Sequence, residues 1–242
     1  MRLRVLTLNL WNVSEPLAPR MAALAAGLAA LQPDIVCLQE VGGDPRTGRR
    51  QSRSAADACG LRHAIDHEQL SILSRFRIEC WRHVALPIVP RDEPRHGLLA
   101  DIQVGGRQVL IANTHLCWRP EWRAERKMQV DALLGALERH EARDATILCG
   151  DFNDDPDSPA LRAVVESGLV FRDAFAVCYE GQSGYTWSRQ NPYVDRSTLR
   201  DQRIDYIFCA GALTPSACAV VFNDAECLAS DHYGLLATFD LP

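Results

Sequence analysis

No stretch of this 242-residue chain approaches the roughly 18 consecutive apolar residues that span a bilayer. The segment from Met1 to Leu10 runs straight into polar positions, so the sequence predicts neither a membrane anchor nor a signal peptide. There are nine cysteines, an odd number, and none has the CxxC or Cys/His spacing of a metal or redox motif. Several sit inside apolar runs, as Cys37 does in Ile35-Val36-Cys37-Leu38. They read as reduced core thiols of a cytoplasmic protein rather than as a disulfide framework. Positive charge is also in short supply. The formal net charge is -5, which excludes a general attraction for polyanions, so any nucleic acid must be held locally. The local candidate is Arg46-Thr47-Gly48-Arg49-Arg50-Gln51-Ser52-Arg53, read as a loop that is either simply solvated or follows a phosphate backbone. No long Pro/Ser linker and no repeat of solenoid period interrupts the chain, which is expected to be one domain over residues 1–242 with no obligate protein partner evident.

What is present is a globular composition, 47% hydrophobic and 24% charged, in which β-like runs alternate with helix-like ones. Leu3 to Leu10, Asp34 to Gln39, Gln69 to Arg75, Thr146 to Cys149, Ile204 to Cys209, Ala217 to Phe222 and Gly234 to Phe239 read as strands. Leu17 to Leu31, with Pro19 near its start, Glu121 to His140 and Ser158 to Ser167 read as helices. The chain from there to about Arg200 reads as irregular. Leu98 to Val104 and Arg107 to Thr114 flank Gly105-Gly106, a two-residue hairpin signal that implies antiparallel pairing. Such alternation with hairpins predicts a mixed or antiparallel layered α/β fold rather than a doubly wound parallel one.

Polar side chains recur where an apolar strand runs out. Asn9 follows Leu6-Thr7-Leu8, and Glu40 follows Val36-Cys37-Leu38-Gln39. Asn113 and His115 close Val109-Leu110-Ile111-Ala112, Asp151 and Asn153 follow Ile147-Leu148-Cys149-Gly150, and Asp231-His232 precedes the last strand. Ligand and catalytic groups of layered α/β proteins collect at one edge of a sheet, so these positions point to a common site. Each alone also has a plainer reading: a turn residue for Asn9 or Asp231, a solvated carboxylate for Glu40, a hairpin-edge imidazole for His115. Asp151-Phe152-Asn153-Asp154-Asp155-Pro156 reads equally as an acidic turn that caps the helix starting near Pro159.

The runs Leu6-Thr7-Leu8-Asn9-Leu10-Trp11, Pro33-Asp34-Ile35-Val36-Cys37-Leu38-Gln39-Glu40, Asn113-Thr114-His115-Leu116, Gly150-Asp151-Phe152-Asn153, Arg203-Ile204-Asp205-Tyr206-Ile207 and Ser230-Asp231-His232 together resemble the ordered signature of endonuclease/exonuclease/phosphatase enzymes. The resemblance implies a four-layer α/β sandwich with two central mixed, largely antiparallel sheets. It implies Glu40 as the main carboxylate ligand of Mg²⁺, with Asn9 and Asp231 near the same ion and Mn²⁺ as a substitute. A hard ion with a preference for oxygen ligands suits that set. By the same resemblance Asp151 deprotonates the attacking water and Asn153 holds a phosphoryl oxygen. His232 and His115 contact the scissile phosphate, and Asp205 fixes the tautomer of His232. Asn113 and Arg203 fall among the substrate-binding positions. Trp187, in Tyr185-Thr186-Trp187, resembles a groove element that either packs internally or stacks on a base.

The family spans many substrates, and fold does not select among them. Ser230-Asp231-His232-Tyr233-Gly234-Leu235-Leu236-Ala237 is similar to the closing motif of the tyrosyl-DNA phosphodiesterase branch and of some sphingomyelinase branches. The implied activity is hydrolysis of a phosphodiester in a nucleic acid or nucleotide-like substrate by in-line attack of water. A small-molecule or lipid-headgroup phosphoesterase is the alternative, and a silent binding module of the same fold a remote one.

Overall fold

A computed structural model describes residues 1–140, 143–195, 197 and 200–242. The first apolar run forms β1 (Arg2–Asn9), and the Ala/Leu-rich stretch after it forms α1 (Leu17–Leu31), which buries Leu17, Leu24 and Leu28 at near-helical spacing. Next come β2 (Ile35–Gln39), α2 (Gln51–Cys59), β3 (His63–His67), β4 (Leu70–Ser74) and β5 (Ile78–Ala85). β6 (His96–Val104) and β7 (Arg107–His115) form the expected hairpin. Its turn needs left-handed backbone at both central positions, and Gly105 (φ 59°) and Gly106 (φ 84°) supply it. The chain continues through α3 (Arg123–Glu138), β8 (Ala145–Asp151), α4 (Pro159–Glu166), the short β9 (Arg172–Asp173) and α5 (Ala174–Cys178). It ends with β10 (Asp205–Gly211), β11 (Thr214–Val221) and β12 (Gly234–Asp240).

Two six-stranded sheets result, one in the order β11-β12-β1-β2-β4-β3 and the other β5-β6-β7-β8-β10-β9. Each is antiparallel apart from one central parallel pair, β1 with β2 and β7 with β8. Alternate strand residues face the other sheet. Leu3, Val5, Ile35 and Cys37 of the first meet Ile111, Ile147, Cys149 and Ile207 of the second in a fully buried core. The opposite faces are covered by helices: α1 and α2 lie over Leu6, Leu8, Val36 and Leu38, while α3 and α4 lie over Leu110, Leu148 and Phe208. This is the four-layer α/β sandwich. Six of the nine cysteines are buried, and all are free. Among the described residues no helix is long and apolar enough to cross a membrane.

Several expectations need correction. The basic segment is a loop only in its first half, since Gln51, Ser52 and Arg53 open α2. Gln51 is buried and binds the Gly42 amide and the Asn12 carbonyl, which fixes the helix start. Arg46 and Arg49 pair with Asp44 and Asp57, and Arg50 caps the Glu68 carbonyl. β3 and β5 were not expected. β5 is a largely exposed edge strand, so it lacks the alternation that marks a half-buried one. Residues 145 and 150–151 extend β8 beyond the expected limits. β9 and α5 occupy part of the stretch read as irregular up to Arg200, of which residues 196, 198 and 199 lie outside the described residues.

Candidate active site

Following the inward-facing positions along each central strand leads from the core to the site. β7 presents Val109 and Ile111 to the core, then Asn113, then His115; β8 presents Ile147, Cys149 and then Asp151; β1 presents Leu3, Val5, Thr7 and then Asn9. Register aligns the ends. His115 lies opposite Asp151, Asp151 opposite Asp205, and Asn9 opposite Gln39. Beneath the end groups lies a buried polar layer that joins the two sheets. Gln39 donates to Thr7 (3.0 Å) and to Asn113 Oδ1 (2.6 Å), and Asn113 Nδ2 donates to the carbonyls of Leu38 (2.9 Å) and Ser71 (3.0 Å). Asn113 is therefore no substrate contact: its amide is consumed in holding the two sheets in register under the site.

Asp151 is the centre of the end layer. Asn9 Nδ2 donates to Asp151 Oδ2 at 3.0 Å and to Glu40 Oε1 at 3.0 Å, while the Asn153 amide N–H donates to Asp151 Oδ1 at 2.9 Å. His115 Nε2 and His232 Nε2 stand 3.5 and 3.7 Å from the same Oδ2. Burial, then the neighbouring Asp205 charge, push the Asp151 carboxyl up to about 7, against the opposing pull of His232. Its position depends on Gly150, whose φ of 137° suits glycine and where a Cβ would stand 2.0 Å from the Thr114 carbonyl oxygen. Asp151 does not cap α4: the Ser158 side chain does, accepting from the Leu161 N–H.

His232 Nδ1 meets Asp205 Oδ2 at 2.9 Å. Burial opposes a charge on this ring, but the Asp205 and Asp151 charges and the hydrogen bond that Nδ1 donates to Asp205 outweigh it and hold the imidazole well above the usual histidine range. His115 is backed differently. Arg95 Nη1 lies 3.1 Å from His115 Nδ1, and a guanidinium only donates. His115 Nδ1 is thus the acceptor and its Nε2 carries the proton toward Asp151. Burial, then the Arg95 and His232 charges, hold this ring well below the usual range and therefore neutral. Arg95 is itself gripped by both carboxylate oxygens of Asp92, at 2.9 and 3.0 Å. Arg95 and Asp92 were missed by sequence reasoning, since an Arg before an apolar strand is not distinctive.

Glu40 (φ 52°) and Asn153 (φ 52°) both sit in left-handed backbone just past a strand end, the kind of strain that clusters at functional sites. The Asp231 carboxyl is pushed up to about 6, first by burial and with the Glu40 charge adding, although His232 opposes it. Two mutually repelling acids beside an amide make a hard-oxygen set that suits a divalent cation, which commonly takes one or two carboxylates and completes its shell with water and phosphate. Among the described residues the donors that converge most closely, within 4.8 Å, are Asp151, Asp205 and His232. In that cluster the His232 Nδ1 is engaged by Asp205, whereas Glu40 and Asp231 offer oxygen ligands alone.

Glu40, His115, Asp151, Asp231 and His232 line one cavity of about 1110 Å³ together with Asn153, Trp187 and Trp11. Trp187 stands edge-on to His232, with ring centroids 4.8 Å apart. Arg203 is directed elsewhere. It pairs with Asp173 at 2.6 Å and lies over the Tyr206 and Phe175 rings, so it is a packing residue and not a substrate contact. Buried Arg20 donates to the carbonyls of Leu10, Asn12, Ser14 and Ala229 and so shapes the loop that carries Trp11.

A sandwich of two sheets whose strand ends meet in a carboxylate, an amide and two oppositely backed imidazoles defines a phosphoester-hydrolase domain. The sequence of residues 6–232 matches the model of the Endonuclease/Exonuclease/phosphatase family, and the chain belongs to that family. It is 26% identical over 245 residues to tyrosyl-DNA phosphodiesterase 2 of Mus musculus, covering 96% of this chain and 65% of that protein. It is 26% identical to nocturnin of Rattus norvegicus, covering 78% of this chain and 48% of the other. The chain thus spans two thirds or less of the length of these curated relatives. Its fold superposes on D. rerio TDP2 complexed with single strand DNA product at a TM-score of 0.82, with 22% identity and 99% of each chain covered. On the human nocturnin catalytic domain the TM-score is 0.79, with 22% identity and 100% and 95% covered.

Proposed function

We propose that this chain is a Mg²⁺-dependent phosphodiesterase acting on a nucleic acid or nucleotide-like substrate, with Asp151 as the general base. The observation that carries the reading is the convergence of Asn9, His115 and His232 on one oxygen of Asp151, with Glu40 bound to the same Asn9 amide. Relatives named as phosphodiesterases support the reaction class. Asp151 takes the proton of the attacking water. The Asn153 N–H and the Asn9 amide keep the carboxylate from turning, so the base is oriented before substrate arrives. His232, charged because Asp205 stands behind it, donates from Nε2 to a non-bridging phosphoryl oxygen as charge builds there. His115 donates from Nε2 as a neutral group. One such preorganised donor contributes on the order of 3 kcal/mol to the transition state. Glu40 and Asp231, with Asn9 beside them, would hold the cation, which supplies charge neutralisation at the phosphate.

The test is a parallel screen with Mg²⁺, Mn²⁺ or excess EDTA over bis-p-nitrophenyl phosphate, single-stranded DNA, RNA, 5'-tyrosyl oligonucleotide, sphingomyelin and sugar phosphates. Metal-dependent hydrolysis of a diester is expected. Full activity in EDTA would remove the cation, and silence on every substrate with both metals would leave a binding module of the same fold.

A further inference from the structure

The mechanism uses only the floor of the cavity. One wall is formed by the segment that leaves His115 and enters α3, and it carries Trp118, Arg119 and Arg123. Trp118 is 53% exposed and lines the cavity, so its indole offers apolar surface there. The Arg119 guanidinium carbon lies over both indoles, 5.0 Å from the Trp118 ring centroid and 5.2 Å from that of Trp122. These cation–π contacts order the two side chains without a ligand.

The backbone of the segment is equally fixed. Buried Arg126, paired with buried Asp154 at 3.0 Å, donates to the carbonyls of Arg119 (2.7 Å) and Cys117 (3.3 Å). The Gln129 side chain accepts from the Cys117 N–H at 3.0 Å.

Charge on this wall is distributed unevenly. Most guanidiniums at the cavity are neutralised: Arg95 by Asp92, Arg123 and Arg126 by Asp154, Arg200 by Asp155. Among the described residues Arg91 and Arg119 line the cavity without a carboxylate partner. In a chain of net charge -5 that leaves two guanidiniums without a carboxylate in the cavity that the half-exposed Trp118 also lines, the pairing that a base and its neighbouring phosphate require.

We propose that Trp118, Arg119 and Arg91 form a subsite for the nucleotide next to the scissile phosphate, with its base on the Trp118 indole and its phosphate on the two guanidiniums. The occupant is an unpaired oligonucleotide strand, because a base inside a duplex has no free face to offer. This rests on the phosphodiesterase reading, in that it places the neighbouring phosphate at Asp151.

The test separates the two. Binding is measured by fluorescence anisotropy in the Asp151→Asn background, so that turnover plays no part. The probes are a labelled six-nucleotide single strand, a blunt duplex of the same sequence, and inorganic phosphate as a competitor that has no base. Trp118→Ala should weaken the single strand by about tenfold, the range of one lost stacking contact, and Trp118→Phe should restore most of that affinity. The same substitution should change competition by inorganic phosphate by less than about twofold. Arg119→Gln should weaken the single strand and also flatten its salt dependence. Equal losses for single strand and inorganic phosphate, an equal loss for the duplex, or no loss with an unchanged melting temperature would each overturn the subsite. If the parent enzyme hydrolyses no diester yet the binding pattern holds, the subsite stands and the catalytic reading fails.

Discussion

His232 and His115 face the same carboxylate oxygen at 3.7 and 3.5 Å, yet the chain makes them opposites. Behind His232 is a carboxylate, Asp205; behind His115 is a guanidinium, Arg95. The first ring is held charged and the second neutral. Two buried imidazoliums a few ångströms apart would repel strongly at low dielectric, so a site with two histidine donors needs one of them uncharged. The difference teaches that a residue's role here is set by its partner on the far side of the ring, not by the residue type.

Neutralising the carboxylate that both rings address should have the largest effect. Asp151→Asn keeps the shape but turns one of the two accepting oxygens into a donor and cannot take a proton, so turnover should fall about 10²- to 10⁴-fold with the melting temperature preserved. Steady-state kinetics within about threefold of wild type would end its role as general base. Next comes the charged ring. Asp205→Asn should lower kcat by roughly 10²-fold, the loss of about 3 kcal/mol of transition-state stabilisation, with little change in KM. Wild-type kcat for this variant would show that the ring needs no acid behind it.

The neutral ring should respond less. Arg95→Met removes the donor at His115 Nδ1 and should cost kcat about tenfold, since only the orientation of one donor is lost. It also leaves Asp92 buried and unpaired, a cost of about 3–5 kcal/mol in stability. The double variant Asp92→Asn/Arg95→Met should recover most of the melting temperature but not kcat. Recovery of both together would make Arg95 purely structural.

Some of this contrast was legible in the sequence and some was not. Strand-end polar residues announce themselves because an apolar run stops at them, and Asn9, Glu40, His115, Asp151 and His232 were found in that way. The same rule misassigned Asn113, which shares the inward face of β7 with His115 but stops two residues deeper, where the facing sheet rather than the cavity receives it. Arg203 closes a loop beside Asp205 but turns back onto Tyr206 and Asp173. Periodicity gives the face of a strand, not the depth at which that face opens. Arg95 was invisible because what makes it matter is a contact across 20 residues of sequence to His115, and Trp118 and Arg119 because an exposed indole has no pattern. The helix Leu17–Leu31 and the Gly105-Gly106 hairpin were plain because their causes are local.

Among the described residues a third group of imidazoles has no acid or guanidinium hydrogen-bonded to its rings, and it should give the smallest effect. His67 of β3, His83 of β5 and His96 of β6 meet where the edge of one sheet reaches the other. The His67 and His83 rings stack at 4.0 Å and 11°, and His96 stands edge-on to His67 at 5.0 Å. Trp81 and Glu68 are the other neighbours, Glu68 favouring the charged forms. Burial, then the adjacent imidazoles, lower the pKa of His67 and of His96. Folded-state values below the unfolded ones mean that the unfolded chain binds protons the folded one resists. Stability is therefore lost as pH falls through the ordinary histidine value of about 6.5. His83→Gln removes one of the charges that depress the other two, so its melting temperature should drop less than the wild type's on going from neutral pH to below that value. The comparison isolates the cluster, because the carboxyls that titrate in the same window, Asp151 and Asp231, are the same in both proteins. Parallel melting curves for wild type and variant across that pH range would show that the cluster contributes nothing, and that only rings with a charge behind them are tuned in this protein.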